Sequence, residues 1–244
     1  MLNKLLYERY HGNIKLQKRI ITINDFTYKN ILNRIVEHVP SRGKVLDIGS
    51  ATGTLGFFFA SKGLQVDGIE LSKNAVKYAN LNKNAFGLNN INFINTSIEN
   101  FKTNKKYKLI TCLEVLEHLE DDSKSLRTFT KFMSKNSILA LSVPSIKAPL
   151  YKLGLLNKFD KNVGHLRRYS MQSLKSLLRK SGFEVVEEFK TEGILRSLFF
   201  TNKILGSLLK FTKFRVFNNL LSYFDNLTLH FFSESQIIVI CKLS

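Results

Sequence analysis

Glu114, Glu117 and His118 fall within the short run from Thr111 to Asp121. If a helix starts there, their i, i+3, i+4 spacing puts two carboxylates and an imidazole on one face. That set suits a divalent ion such as Mg²⁺ or Mn²⁺. A second imidazole, His165, opens the run from Gly164 to Tyr169 and offers a fourth ligand. The same residues also read without a metal. His118 or His165 then serves as an unaided general base beside Glu114, or the glutamates cap a helix and the histidine packs. His11, His38 and His230 have no such neighbours and read as structural.

A second group lies between Lys44 and Gly56. Val45, Leu46 and Ile48 read as a buried strand carrying Asp47 and ending in a glycine turn. Gly49 and Gly53 let a backbone approach a ligand where a side chain would collide. Glu70 follows 21 residues after Gly49, at the end of the next strand-like run. That spacing suits a carboxylate gripping ribose hydroxyls. An acid just before the turn would repel a pyrophosphate and suit a cation.

These residues resemble the first motif of the class I S-adenosylmethionine-dependent methyltransferases, D-x-G-x-G-x-G, with Ala51 at the middle glycine. The resemblance implies S-adenosylmethionine as cofactor. It places Asp47, Gly49, Ser50, Ala51, Gly53, Glu70, Leu71, Thr96, Ser97 and Leu113 around it. Thr96 stands where the family usually has an acid for the adenine amino group. The E-x-x-E-H run with its downstream His is similar to the ubiquinone-biosynthesis O-methyltransferases and to the small-RNA terminal 2′-O-methyltransferases. That likeness implies Glu114, Glu117, His118 and His165 as ligands of a divalent metal, Mg²⁺ or another, holding two adjacent hydroxyls. The run from Asp160 to Ser170 looks like methyltransferases of glycan and lipid-linked sugar biosynthesis. Arg167, Arg168 and Tyr169 would there bind a substrate phosphate or carboxylate. The alternative reading of Arg167 and Arg168 is ion pairing with Asp121, Asp122 or Asp160.

Strands and helices alternate from about residue 44. The strand-like runs are Lys44 to Ile48, Gln65 to Glu70, Ile91 to Asn95, Tyr107 to Cys112, Ser137 to Val143, Phe183 to Phe189 and Ser235 to Lys242. The expected fold is α/β: a Rossmann-like, seven-stranded, mostly parallel sheet with helices on both faces and its last strand antiparallel. Residues 1–40 read as a helical cap, with Asp25 capping a helix whose apolar face holds Ile31, Leu32, Ile35, Val36 and Val39. Residues 41–244 read as the methyltransferase domain, with a helical insertion at about 190–234. From Arg196 to Arg215 that insertion carries five basic residues and no acid. Arg196, Lys203 and Lys210 repeat every seven positions, which suggests a basic amphipathic helix on an anionic membrane surface; a lid or a dimer contact is the alternative.

The chain has 244 residues and a formal net charge of +18, which argues for an anionic partner without choosing one. Cys112 and Cys241 sit in apolar runs, so a reducing compartment is expected. No run approaches the roughly 20 apolar residues of a membrane span. Together these features suggest a cytoplasmic enzyme, peripheral at the inner face of a membrane. It would methylate an oxygen of a small or lipid-linked acceptor, of quinone-precursor or glycan type. RNA methylation and a non-catalytic, methyltransferase-like binding subunit are the competing readings.

Overall fold

The computed structural model describes Glu8 and residues 16–244, without the side chains of Lys203, Lys210, Lys213 and Arg215. His11 and most of the first part of the expected cap lie outside the described residues. Helix α1 spans Phe26–Ile35. Then follow β1 Lys44–Ile48, α2 Thr54–Ser61, β2 Gln65–Glu70, α3 Lys73–Ala85, β3 Ile91–Asn95 and β4 Tyr107–Leu113. The middle of the chain holds α4 Asp122–Thr130, β5 Met133–Pro144, α5 Pro149–Lys152, α6 Asn157–Val163, α7 Met171–Lys180 and β6 Phe183–Thr191. The last part comprises α8 Ile194–Thr201, α9 Lys203–Ser207, α10 Arg215–Phe231 and β7 Gln236–Leu243.

The seven strands form one sheet in the order β3-β2-β1-β4-β5-β7-β6. Strand β7 runs antiparallel to both its neighbours, while β1 to β5 pair in parallel. The expected architecture is therefore the observed one. β5 starts earlier, at Met133, and β6 runs on to Thr191.

Strand side chains alternate between two cores. Leu46, Ile48, Ile110, Cys112, Ile237 and Val239 enter one, with Phe129 and Leu178. Val45, Leu109, Ile238 and Ile240 enter the other, with Leu32, Ile35, Phe57 and Phe59. Covering both faces is why these strands read as continuous apolar runs rather than alternating ones. The strand order reverses between β1 and β4, so their carboxyl ends diverge and leave a crevice.

Two local expectations are corrected. Asp25 stands at the N-cap position of α1 but makes no side-chain cap there. Its carboxylate instead accepts from the Thr22 amide at 2.6 Å and pairs with Arg19. Residues 196–215 are not one helix. Asn202 ends α8 and its side chain caps α9, accepting from the amides of Ile204 at 2.9 Å and Leu205 at 3.2 Å. Arg196 shares no solvent face with the lysines, being fully buried at 0% exposure. Asp225 of α10 draws it inward: the carboxylate lies 3.5 Å from Arg196 Nε, and the guanidinium stacks 3.8 Å from the Phe26 ring centroid. The expected basic face falls on Lys203 and Lys210, whose side chains lie outside the described residues.

Candidate functional site

The crevice opens into a cavity of about 1260 Å³ over the carboxyl ends of β1, β2 and β4. Thr27, Tyr28 and Ile31 of α1 line it on one side, and Ser197, Phe200 and Thr201 of α8 on another. Asp47, Gly49, Ser50, Ala51, Glu70, Leu71, Thr96, Ser97 and Leu113 all line it too. Only Gly53 of the expected cofactor set stands back from it. Gly49 and Gly53 have φ of +70° and +87°. A Cβ at Gly49 would meet Val115 Cγ2 at 2.3 Å, and one at Gly53 would meet Phe93 Cζ at 2.4 Å. The glycines thus first clear protein side chains and let the turn form. Ala51 takes a φ of +46°, a left-handed conformation unusual for alanine.

The turn is held by the acid that follows it. Glu70 accepts from the Ala51 amide at 3.0 Å and from the Ser72 amide at 2.7 Å. Asp47 is buried at 4% exposure and accepts from Thr111 Oγ1 at 2.7 Å. Burial, with Glu70 nearby, pushes the Asp47 carboxyl up to about 7. Ser50 Oγ is buried without a hydrogen-bond partner among the described residues. Glu8 reaches the same rim, accepting from the Lys73 amide at 2.7 Å and the Asn74 amide at 3.1 Å at the start of α3.

At the far wall stand His118 and His165; with Glu117, which is fully buried and does not itself line the cavity, they bring one ligand atom each within 4.8 Å of one another. Both Nε2 atoms lie 3.7 Å from Glu117 Oε1. His118 Nδ1 lies 3.0 Å from the Gly164 carbonyl, which can only accept, so this nitrogen carries the proton and Nε2 the lone pair. His165 Nδ1 is set in the same way by Asp160 Oδ1 at 3.0 Å. Neither oxygen of Glu117, a residue at 0% exposure, has a hydrogen-bond partner among the described residues. Burial, then the proximity of Glu114, hold its carboxyl well above the usual carboxylate range. Burial lowers His118 to about 4, so the imidazole is neutral at physiological pH.

Glu114 does not share a helical face with this group. Strand β4 runs on to Leu113, Glu114 turns left-handed at φ +54°, and a single 3₁₀ turn covers Leu116–His118. Its carboxylate accepts from Ser142 Oγ at 2.9 Å and Gln236 Nε2 at 3.0 Å. Of the four expected ligands, three converge and the fourth lines the cavity beside them.

The expected substrate cations are committed internally. Arg167 donates to the Leu119 and Glu120 carbonyls at 2.7 and 3.0 Å and lies 3.2 Å from Asp122. Arg168 holds Asp160 with two bonds, at 2.7 and 2.5 Å, and donates to the Ser145 carbonyl. The buried Tyr169 donates to Asp122 at 2.8 Å. The ion pairs weighed for Arg167 and Arg168 are formed, with Asp122 and Asp160, while Arg168 also lines the cavity.

Glu192 is a further residue of the site. It lines the cavity with φ +59°, and burial pushes its carboxyl up to about 8. No pattern in the sequence marks such a residue, because the signal is a backbone conformation.

A family model described as a methyltransferase domain matches residues 23–188. The chain belongs to that family and is a class I S-adenosylmethionine-dependent methyltransferase. It is 26% identical over 174 residues to the ubiquinone biosynthesis O-methyltransferase of Rickettsia canadensis, covering 68% of this chain and 73% of that one. The ubiquinone biosynthesis O-methyltransferase of Rickettsia typhi is 27% identical over 136 residues, covering 55% of this chain and 55% of that one, so the chain spans only about half the length of that relative. Coclaurine N-methyltransferase bound to N-methylheliamine and SAH superposes with a TM-score of 0.64 at 17% identity, covering 99% of this chain and 78% of that one. Magnesium protoporphyrin IX methyltransferase from Synechocystis PCC 6803, with bound SAH, gives 0.59 at 18% identity, covering 98% and 93%. At such identities the two structures speak to the fold, which is the same.

Proposed function

We propose that this enzyme transfers a methyl group to an oxygen of a small or lipid-linked acceptor bearing adjacent hydroxyls, of the quinone-precursor or glycan type. The observation that carries the reading is the orphaned Glu117 carboxylate facing two imidazole lone pairs. A buried carboxylate without a donor is costly unless a proton or a cation joins it. The donor set, one carboxylate and two outer-held imidazoles, fits a divalent ion, which would lower the pKa of a hydroxyl and orient it. Glu117, His118 and His165 would hold that ion. Glu114 stands beside them as a cavity-wall carboxylate rather than a fourth ligand.

S-adenosylmethionine, when bound, supplies an electrophilic methyl group on a sulfonium. The turn from Asp47 to Gly53 and the acid at Glu70 form the cofactor end of the cavity, where a cation suits the Asp47 carboxylate. Ser50, Leu71, Thr96, Ser97 and Leu113 complete that end. With no ion bound, His165 Nε2 would instead accept the acceptor's hydroxyl proton, and Asp160 fixes the tautomer and orientation that either role needs. Hydrogen bonds from His165 and Arg168 outweigh burial and hold the Asp160 carboxyl below its ordinary range, so it stays anionic. Helix α1 and the insertion at about 190–234 roof part of the cavity through Tyr28, Ile31, Ser197 and Phe200. The relatives named for ubiquinone biosynthesis support an oxygen acceptor of the phenolic kind.

The test is transfer of isotopically labelled methyl from S-adenosylmethionine to a catechol, with Mg²⁺ or Mn²⁺ and with excess chelator. Methylation of one catechol oxygen, lost in chelator and restored by metal, is the expected result. Full activity in chelator would remove the metal and leave His165 as an unaided base. No transfer to any catechol with metal present would overturn the quinone-precursor acceptor and leave the glycan type.

A further inference from the structure

Helix α10 is amphipathic in the opposite sense to a helix packed on a core. Its buried residues are the polar Asn218, Ser222 and Asp225. Asn218 Nδ2 donates to the Asn24 carbonyl at 2.5 Å, and Ser222 Oγ lies 3.3 Å from Asn218 Oδ1. Asp225 accepts from the amides of Gly193 at 3.0 Å and Arg196 at 2.8 Å. Outward stand Val216, Leu220, Tyr223, Leu227 and Phe231, exposed by 73, 52, 63, 41 and 77%. Their spacing of i, i+4, i+7, i+11 and i+15 makes one continuous stripe, which at 1.5 Å per residue is roughly 22 Å long. An apolar stripe of that length facing water marks an interaction surface.

Charge narrows the partner. Residues 202–232 contain Lys203, Lys210, Lys213 and Arg215 and a single acid, Asp225, which is buried. The segment therefore offers a partner apolar side chains and positive charge, the two components that hold a helix in the interface of an anionic bilayer. Among the described residues no helix is long and apolar enough to cross a membrane. We propose that α10 lies flat in the surface of an anionic membrane, its apolar stripe among the acyl chains and its polar face holding the catalytic domain. Through Asp225 and Arg196, α10 is tied to α8, which lines the cavity, so docking sets the cavity's roof against the bilayer. This inference does not depend on which acceptor is methylated.

Co-sedimentation of the full chain with phosphatidylglycerol vesicles and with phosphatidylcholine vesicles tests it. The wild-type protein is expected to pellet with the anionic vesicles at least tenfold more than with the neutral ones. Leu220→Ser combined with Phe231→Ser should abolish that difference while leaving the circular dichroism spectrum unchanged. The chain has no tryptophan, so Tyr223→Trp provides a single reporter. Its emission should shift to the blue on anionic vesicles and be quenched by brominated lipid. Negligible pelleting with both vesicle types, or an unshifted emission from the Tyr223→Trp variant, would overturn the proposal. So would a stable dimer in solution that the double substitution dissociates, since the stripe would then belong to a second copy.

Discussion

Asp225→Ala is expected to lower the stability of the fold by about 3–5 kcal/mol, the scale for stranding one member of a buried ion pair. Asp225 is 1% exposed and Arg196 is fully buried. The carboxylate serves the backbone at Gly193 and Arg196 as well as the guanidinium. Removing it leaves the guanidinium with the Phe26 ring, the Phe26 carbonyl and the nearby Glu192, whose carboxyl burial pushes up to about 8. The insertion meets α1 at this cation, and also through Lys29 with Asn219 and Phe26 with Phe200, so the loss should loosen the cavity roof together with the fold. Urea unfolding followed by circular dichroism gives the number. Arg196→Met added to Asp225→Ala should recover much of the loss, because an apolar pair replaces the stranded charge. A loss below about 1 kcal/mol for Asp225→Ala would show that the pair does not hold the roof.

Glu117→Gln and His165→Ala are each expected to reduce kcat by about 10²–10⁴-fold, the range for removing a positioned acid–base group. The two should not be additive, since both act on one centre. Asp160→Asn, which leaves His165 in place but changes what holds its Nδ1, should cost about 10–100-fold. Binding of S-adenosylmethionine should persist in all three, because the Asp47–Glu70 end of the cavity is untouched. Steady-state kinetics beside a direct binding measurement separates the two effects. Activity within threefold of wild type for both Glu117→Gln and His165→Ala would place the chemistry elsewhere on the cavity wall. Glu114 and Glu192 would be the next residues to consider, being raised-pKa carboxylates that line it away from the Asp47 turn.

The sheet was legible because its strands are buried on both faces. Val45 and Leu46, like Ile237 and Ile238, serve different cores, and a run apolar at every position has one reading between turn signals. The glycine turn was legible too, since a left-handed Gly49 and Gly53 between a strand and a helix leave few alternatives. The reason proved different: their missing side chains make room for Val115 and Phe93. What failed depended on partners distant in the chain. Glu114 leaves the expected helical face because Ser142 and Gln236, 28 and 122 residues away, hold its carboxylate. Arg168 folds back onto Asp160, and Arg196 turns inward to an acid on another helix. Helix α10 defeats the rule that an apolar face points inward, because its polar residues are the ones that find partners.

The central claim is that the cavity between the Asp47 turn and Glu70 takes S-adenosylmethionine. Isothermal calorimetry with that ligand and with NAD, at pH 5.5 and pH 7.5, tests it most directly. Asp47 titrates near 7 in the ligand-free protein, against an ordinary 3.8. A carboxyl raised in this way favours the folded state when protonated, so its contribution falls as the pH climbs from about 4 to 7. A cationic ligand selects the ionised form, so its affinity should rise over the same approach to neutrality and level off above it. The account predicts saturable one-to-one binding of S-adenosylmethionine, several-fold tighter at pH 7.5 than at 5.5. Glu70→Ala should weaken it by about 1–3 kcal/mol through the loss of charge-assisted hydrogen bonds, and NAD should give no heat beyond dilution. Saturable binding of NAD with none of S-adenosylmethionine would contradict it.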